Sequence, residues 1–159
     1  MNTPASVKGH PIHAILVAYP IGLWTFSLIC DLVYRMGGGE GWDRAALYTL
    51  GAGLVGALLA AVPGLIDLLS LRNPEAKRIG IFHMVTNLVA VAVFGTSFAL
   101  RLGGSVGGLP VLLSVLGVVL IGVAGFLGGE LVYKHGVGVG AAAGAKTEAE
   151  AQARARHAM

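Results

Sequence analysis

The chain has 159 residues, of which 55% are hydrophobic and only 12% charged, and its mean hydropathy is +0.78. Soluble domains carry about 25% charged residues, so one integral membrane domain is expected, and a secreted disulfide scaffold, a coiled coil and a disordered tail protein are excluded. The 25 glycines follow no triplet repeat, the single cysteine (Cys30) allows neither an internal disulfide nor a CxxC pair, and the net charge of +3 reads as membrane orientation before any nucleic-acid partner.

Four apolar spans follow in chain order. The first covers about residues 11–36, too long for a signal-peptide core and without a small-residue cleavage site after it. A glycine-rich break at residues 37–43 ends it, and Asp43 is placed to N-cap the second span, about residues 44–71. Asn73, Pro74 and Glu75 form the start signal of the third span, which enters its apolar phase at Ile79 and ends near Arg101. A second glycine-rich loop precedes the fourth span, about residues 109–133. Each exceeds the ~20 residues that cross a bilayer core, and in lipid the backbone must satisfy its own hydrogen bonds, so all four are helices. Short connections make neighbours antiparallel, which predicts an all-α, up-down four-helix bundle over residues 1–135. Residues 136–159 form a Gly/Ala-rich tail, expected to be flexible, in which His157 reads as a solvated histidine.

Lys and Arg set the expected orientation. Lys8, Arg72, Lys77, Arg78, Lys134, Lys146, Arg154 and Arg156 lie on one side, against Arg35, Arg44 and Arg101 on the other. The positive-inside rule then puts both termini and the second loop in the cytoplasm.

Ionisable groups inside apolar spans each need a reason. His13, Asp67, His83 and Glu130 come one from each helix and fall at the same end of the bundle, with His10 and His135 at its rim. Asn87 lies one turn after His83 on the same face. Asp67 continues a stripe of small residues, Gly56, Ala60 and Gly64, and the fourth span has Gly122, Gly125, Gly128 and Gly129; such stripes admit a neighbouring backbone or a flat cofactor. At the opposite end, Asp31 and Arg101 each follow a histidine by about five helical turns, so they share its face and are expected to form a structural ion pair.

Three readings of the histidine layer stay open. In the first, helices one and three are diagonal, and His13 and His83 are the two axial ligands of a haem b, with Gly64 and Gly128 beside the ring and Arg72, Arg78 and Lys134 near its propionates; alternatively His10, His13, His83 and His135, with Asp67 or Glu130, hold a transition metal. In the second, the cluster belongs to a small proton or ion transport protein. In the third, the groups only satisfy one another in a structural scaffold. No nucleophile with a phased base falls in this layer, so an enzyme with its own nucleophile is not expected.

The segment Gly9-His10-Pro11-Ile12-His13-Ala14-Ile15-Leu16-Val17-Ala18-Tyr19-Pro20-Ile21-Gly22 resembles the opening signature of a bacterial family of four-span membrane proteins, the domain-of-unknown-function family twenty-two thirty-one. Pro63-Gly64-Leu65-Ile66-Asp67, the stretch from His83 to Asn87, and Gly128-Gly129-Glu130-Leu131-Val132-Tyr133-Lys134-His135-Gly136 are similar to its other marked stretches, so the resemblance covers about residues 7–139. It implies the four-span fold and no activity. Some relatives look like fusions to Rieske-type or cytochrome modules, which implies a redox membrane setting; a redox-protein partner and a homo-oligomer are left open.

Overall fold

The computed structural model describes residues 3–104 and 108–139. Of the expected tail, residues 136–159, the part from 140 onward, with Lys146, Arg154, Arg156 and His157, lies outside them.

A two-stranded hairpin, β1 (Ser6–Val7) and β2 (His10–Pro11), precedes the helices, turning at Lys8 and Gly9 in left-handed backbone. The first span is α1 (Ile12–Leu16) and α2 (Ala18–Val33), followed by one wide turn, Tyr34–Gly38. The break falls at Val17, three residues before Pro20, whose nitrogen has no proton to donate to the Leu16 carbonyl and whose ring disfavours its close approach. The remaining spans are α3 (Glu40–Ser70), α4 (Pro74–Leu102) and α5 (Gly108–Tyr133). All four are long and apolar enough to cross a membrane. Asn73 caps α4 as expected, its Oδ1 accepting from the Glu75 and Ala76 amides at 2.9 and 3.1 Å. Asp43, in contrast, is not the cap of α3. That helix begins a turn earlier behind Gly39, whose φ of +82° no β-carbon-bearing residue adopts without strain.

Helix α2 packs along α3 and α4 along α5, and these two hairpins face each other across the bundle. Leu58, Leu59, Val62, Leu88 and Phe126 point outward, as lipid-facing side chains should. At the centre the Trp24 and Phe94 rings stack with centroids 4.2 Å apart and planes at 19°. Leu50, Ala90 and Ile121 complete that core.

The second hairpin repeats the first. His83, Phe94, Ser97 and Arg101 of α4 stand in the positions of His13, Trp24, Ser27 and Asp31, the last pair being 70 residues apart. On α5, Pro110, Gly117, Ala124 and Gly128 take the positions of Ala46, Gly53, Ala60 and Gly64 on α3. The contacts repeat as well. Ser27 Oγ donates to the Ala46 carbonyl and Ser97 Oγ to the Pro110 carbonyl, both at 2.8 Å. A β-carbon at Gly53 would fall 2.5 Å from the Trp24 ring, and one at Gly117 would fall 2.5 Å from that of Phe94. The bundle is therefore two copies of one helix hairpin about an approximate two-fold axis along its length. With two spans per copy, both copies run the same way through the membrane.

At the end far from the histidines the axis carries unlike charges. Arg101 Nη1 donates to Asp31 Oδ1 at 2.6 Å and Nη2 to Oδ2 at 2.7 Å. Only 2% of the Asp31 side chain and 7% of that of Arg101 is exposed. Two donors in a rigid fork match two carboxylate oxygens, and Ser97 and Ser114 take further guanidinium hydrogens at 3.4 and 3.3 Å. Removing one partner of such a pair leaves a buried charge alone, at a cost of about 3–5 kcal/mol. Asp31→Asn should therefore lower stability by that order in a detergent denaturation series, and Arg101→Gln added to it should cost much less than Arg101→Gln alone. Strictly additive losses would show that the two groups are energetically independent.

A two-histidine candidate site

His13 opens the first span and His83 lies in the third turn of α4; the hairpin repeat sets them facing each other. Their ring centroids are 6.1 Å apart, with planes at 87°. Each ring is held the same way. His13 Nδ1 lies 2.8 Å from the Ala60 carbonyl oxygen, and His83 Nδ1 lies 2.8 Å from that of Ala124. A carbonyl only accepts, so Nδ1 carries the proton and donates, and a neutral ring keeps its lone pair on Nε2. That is the tautomer a metal-bound histidine uses.

Glycine makes the approach possible. A β-carbon on Gly64 would lie 2.6 Å from His13 Nδ1, and one on Gly128 would lie 3.2 Å from His83 Cε1. Each glycine sits four residues after the carbonyl that its histidine uses, so its bare face lets the ring reach an oxygen already accepting within the helix. Gly64 and Gly128 thus floor the imidazoles themselves, a close approach of the kind expected of small residues at a helix interface. On the far side of His83, Asn87 Nδ2 stands 3.2 Å from Nε2 and also donates to the His83 carbonyl at 2.9 Å.

The remaining expected ligands do not join. Asp67, 8% exposed, accepts the Ala5 amide on Oδ1 at 2.9 Å and so anchors the N-terminal hairpin instead of the histidines. Glu130 pairs with Lys134 one turn away, and that hydrogen bond raises the exposed ammonium's pKa. His10 is exposed, its Nδ1 donating within its own turn to the Lys8 carbonyl at 3.1 Å. His135 lies beyond α5 with Nε2 buried. Among the described residues no three of His, Cys, Asp and Glu are grouped to hold a metal ion. The six-residue metal set of His10, His13, Asp67, His83, Glu130 and His135 is therefore not assembled. The reason is local: a backbone amide and a lysine at i+4 satisfy the two carboxylates before any imidazole can.

Two features of the site escape a reading by helix phase. The carbonyl acceptors Ala60 and Ala124 carry no side-chain signal. The Asp67 anchor depends on a short strand pair lying outside the apolar pattern. The internal repeat was missed as well, although its signal lies in the spacing shared by His13, Trp24, Ser27 and Asp31 with His83, Phe94, Ser97 and Arg101.

The family model described as Predicted membrane protein (DUF2231) matches residues 9–141. The chain belongs to that family. The match takes in both histidines, both floor glycines and the ion pair of this predicted membrane protein. Neither a curated protein nor a solved structure matches the chain.

Filling the floor of a ring should be felt in proportion to the space left. Gly64→Ala should lower the detergent-solubilised protein's stability by about 1–3 kcal/mol, the usual cost of overpacking, and Gly128→Ala should cost less. Equal losses, or none at Gly64, would show that the rings have room to move.

Proposed function

We propose that this membrane protein binds one haem b between its two hairpins, with His13 and His83 as the axial ligands, and serves as an electron carrier for a redox-protein partner. The observation that carries this reading is the opposed, symmetry-related imidazole pair. Iron–nitrogen bonds are about 2 Å long, and an imidazole centre lies about 1 Å behind its ligating nitrogen, so two axial rings stand about 6 Å apart centre to centre. The observed separation is 6.1 Å. Both Nδ1 atoms are committed as donors, so iron would be held through Nε2, and at His83 that atom faces the Asn87 amide at 3.2 Å.

The same geometry favours haem over a bare transition metal. A protein-bound metal ion usually takes three or four protein ligands, whereas among the described residues the two imidazoles are joined by no third His, Cys, Asp or Glu. Haem brings four nitrogens of its own and asks the protein for two. When bound it supplies one-electron chemistry; the chain's part is to hold two imidazoles, exclude water and set the surroundings that tune the iron. For ligation at His83, the Asn87 amide must turn away from Nε2.

The excess of Lys and Arg at the histidine end supports a cytoplasmic placement of that end in a bacterial inner membrane. A cytoplasm-only reporter fused after residue 139 should be active; activity of a periplasm-only reporter at the same point would invert the assignment.

The haem reading is tested on full-length protein purified from cells supplied with a haem precursor. Dithionite reduction should give the sharp visible bands of a six-coordinate b-type haem. His13→Ala or His83→Ala should abolish the six-coordinate spectrum. The near-perpendicular ring planes add a sharper demand: the ferric protein should show the strongly anisotropic low-spin electron paramagnetic resonance signal of crossed imidazoles. A protein that stays colourless and takes up no added haemin, or alanine variants that keep the full spectrum, would overturn the proposal.

A further inference from the structure

The outer face of α5 carries a groove near the end of the span. Gly129 stands between Phe126 and Tyr133, about one turn from each, and has no side chain to fill the gap. The two rings, 73% and 90% exposed, wall an open apolar recess of about 320 Å³. Glu130 and Lys134 complete its lining. A recess that faces the bilayer is filled by lipid or by another protein, and the charges on its rim select between occupants.

Lys134 donates to Glu130 Oε1, and 70% of the lysine side chain but only 21% of the glutamate's is exposed. Glu130 and, with smaller effect, Glu75 at the start of α4 raise the pKa of that ammonium, so carboxylates outweigh it at this rim. An anionic headgroup would add a further negative charge; a headgroup with its own cation would not. The two side chains also have bonding capacity to spare. Once their mutual bond is made, Lys134 has two more N–H donors and Glu130 has Oε2, and an ion pair this exposed holds itself together weakly. We propose that the groove binds one neutral phospholipid whose headgroup ends in a primary ammonium, a phosphatidylethanolamine: an acyl chain lies over Gly129 between the two rings, the phosphate accepts from Lys134, and the ammonium donates to Glu130. Choline lipids match the charge but have no N–H to donate, and glycerol lipids bring the phosphate without a cation. The groove uses neither imidazole, so this inference stands or falls apart from the haem reading.

Native mass spectrometry of the full-length protein in detergent tests this, by titration with phosphatidylethanolamine, phosphatidylcholine or phosphatidylglycerol of identical acyl chains. Phosphatidylethanolamine should occupy one site roughly three- to tenfold more tightly than either of the others, the span of one net hydrogen bond. Glu130→Gln should remove the preference over phosphatidylcholine and, by releasing Lys134 for phosphate alone, raise the affinity for phosphatidylglycerol. Gly129→Leu should weaken binding of all three lipids by filling the recess; a β-carbon there meets only Tyr133 Cδ2, at 3.9 Å, so the helix has room for it. Several outcomes would overturn the proposal: no saturable binding, equal affinities for the three headgroups, tightest binding of phosphatidylglycerol, a preference that survives Glu130→Gln, or undiminished binding in Gly129→Leu. A lipid-free dimer that Gly129→Leu disperses would overturn it too, and would give the groove to a second copy of the chain.

Discussion

A polar side chain turned into a membrane bundle has no water to bond with, and this chain repeatedly satisfies it with a helix carbonyl on the partner helix. Trp24 Nε1 donates to the Leu50 carbonyl at 3.2 Å; the serines, Ser27 and Ser97, and the histidines, His13 and His83, do the same with Ala46, Pro110, Ala60 and Ala124. A helix carbonyl has a second lone pair after its i+4 bond is made, but a side chain on the accepting helix normally covers it. Gly53, Gly64 and Gly128 remove that cover where a large ring must approach. The small-residue faces of α3 and α5 therefore have a chemical role in addition to the close packing they permit.

Duplication makes this arrangement productive. One hairpin has one polar face, and two copies about a common axis turn those faces toward each other. What was single becomes paired: two imidazoles at one end, two aromatic rings at the centre, two ionisable groups at the other end. Where the copies have diverged, the divergence is chemically readable. Identical residues at the ion-pair position would set two like charges against each other, whereas Asp31 and Arg101 attract. Asp67 has Leu131 as its counterpart, and only the carboxylate takes the N-terminal hairpin. The paired imidazoles stayed alike, and their surroundings differ chiefly at Val17 and Asn87.

The paired histidines show how little of a site's convergence follows from depth alone. His13, Asp67, His83 and Glu130 do fall near one end of the bundle, yet two of the four face each other and the carboxylates bond elsewhere. Depth is a one-dimensional coordinate along each helix. Rotation about each helix axis and the competition of near neighbours for every acceptor decide contact, and neither can be summed along a sequence.

Composition and span length by themselves determined that this is a four-helix membrane bundle, because a bilayer tolerates only long apolar segments that satisfy their own backbone. Helix phase likewise determined that Asp31 and Arg101 share faces with the two histidines, since 3.6 residues per turn is a property of any α-helix. The tertiary structure decided the rest. It broke the first span before Pro20, moved the start of α3 back to Gly39, drew Asp67 to the Ala5 amide and Glu130 to Lys134, and brought the His13 and His83 rings to 6.1 Å. Those outcomes depend on which acceptor lies nearest in three dimensions. For the two rings it was a carbonyl laid bare by a glycine on another helix.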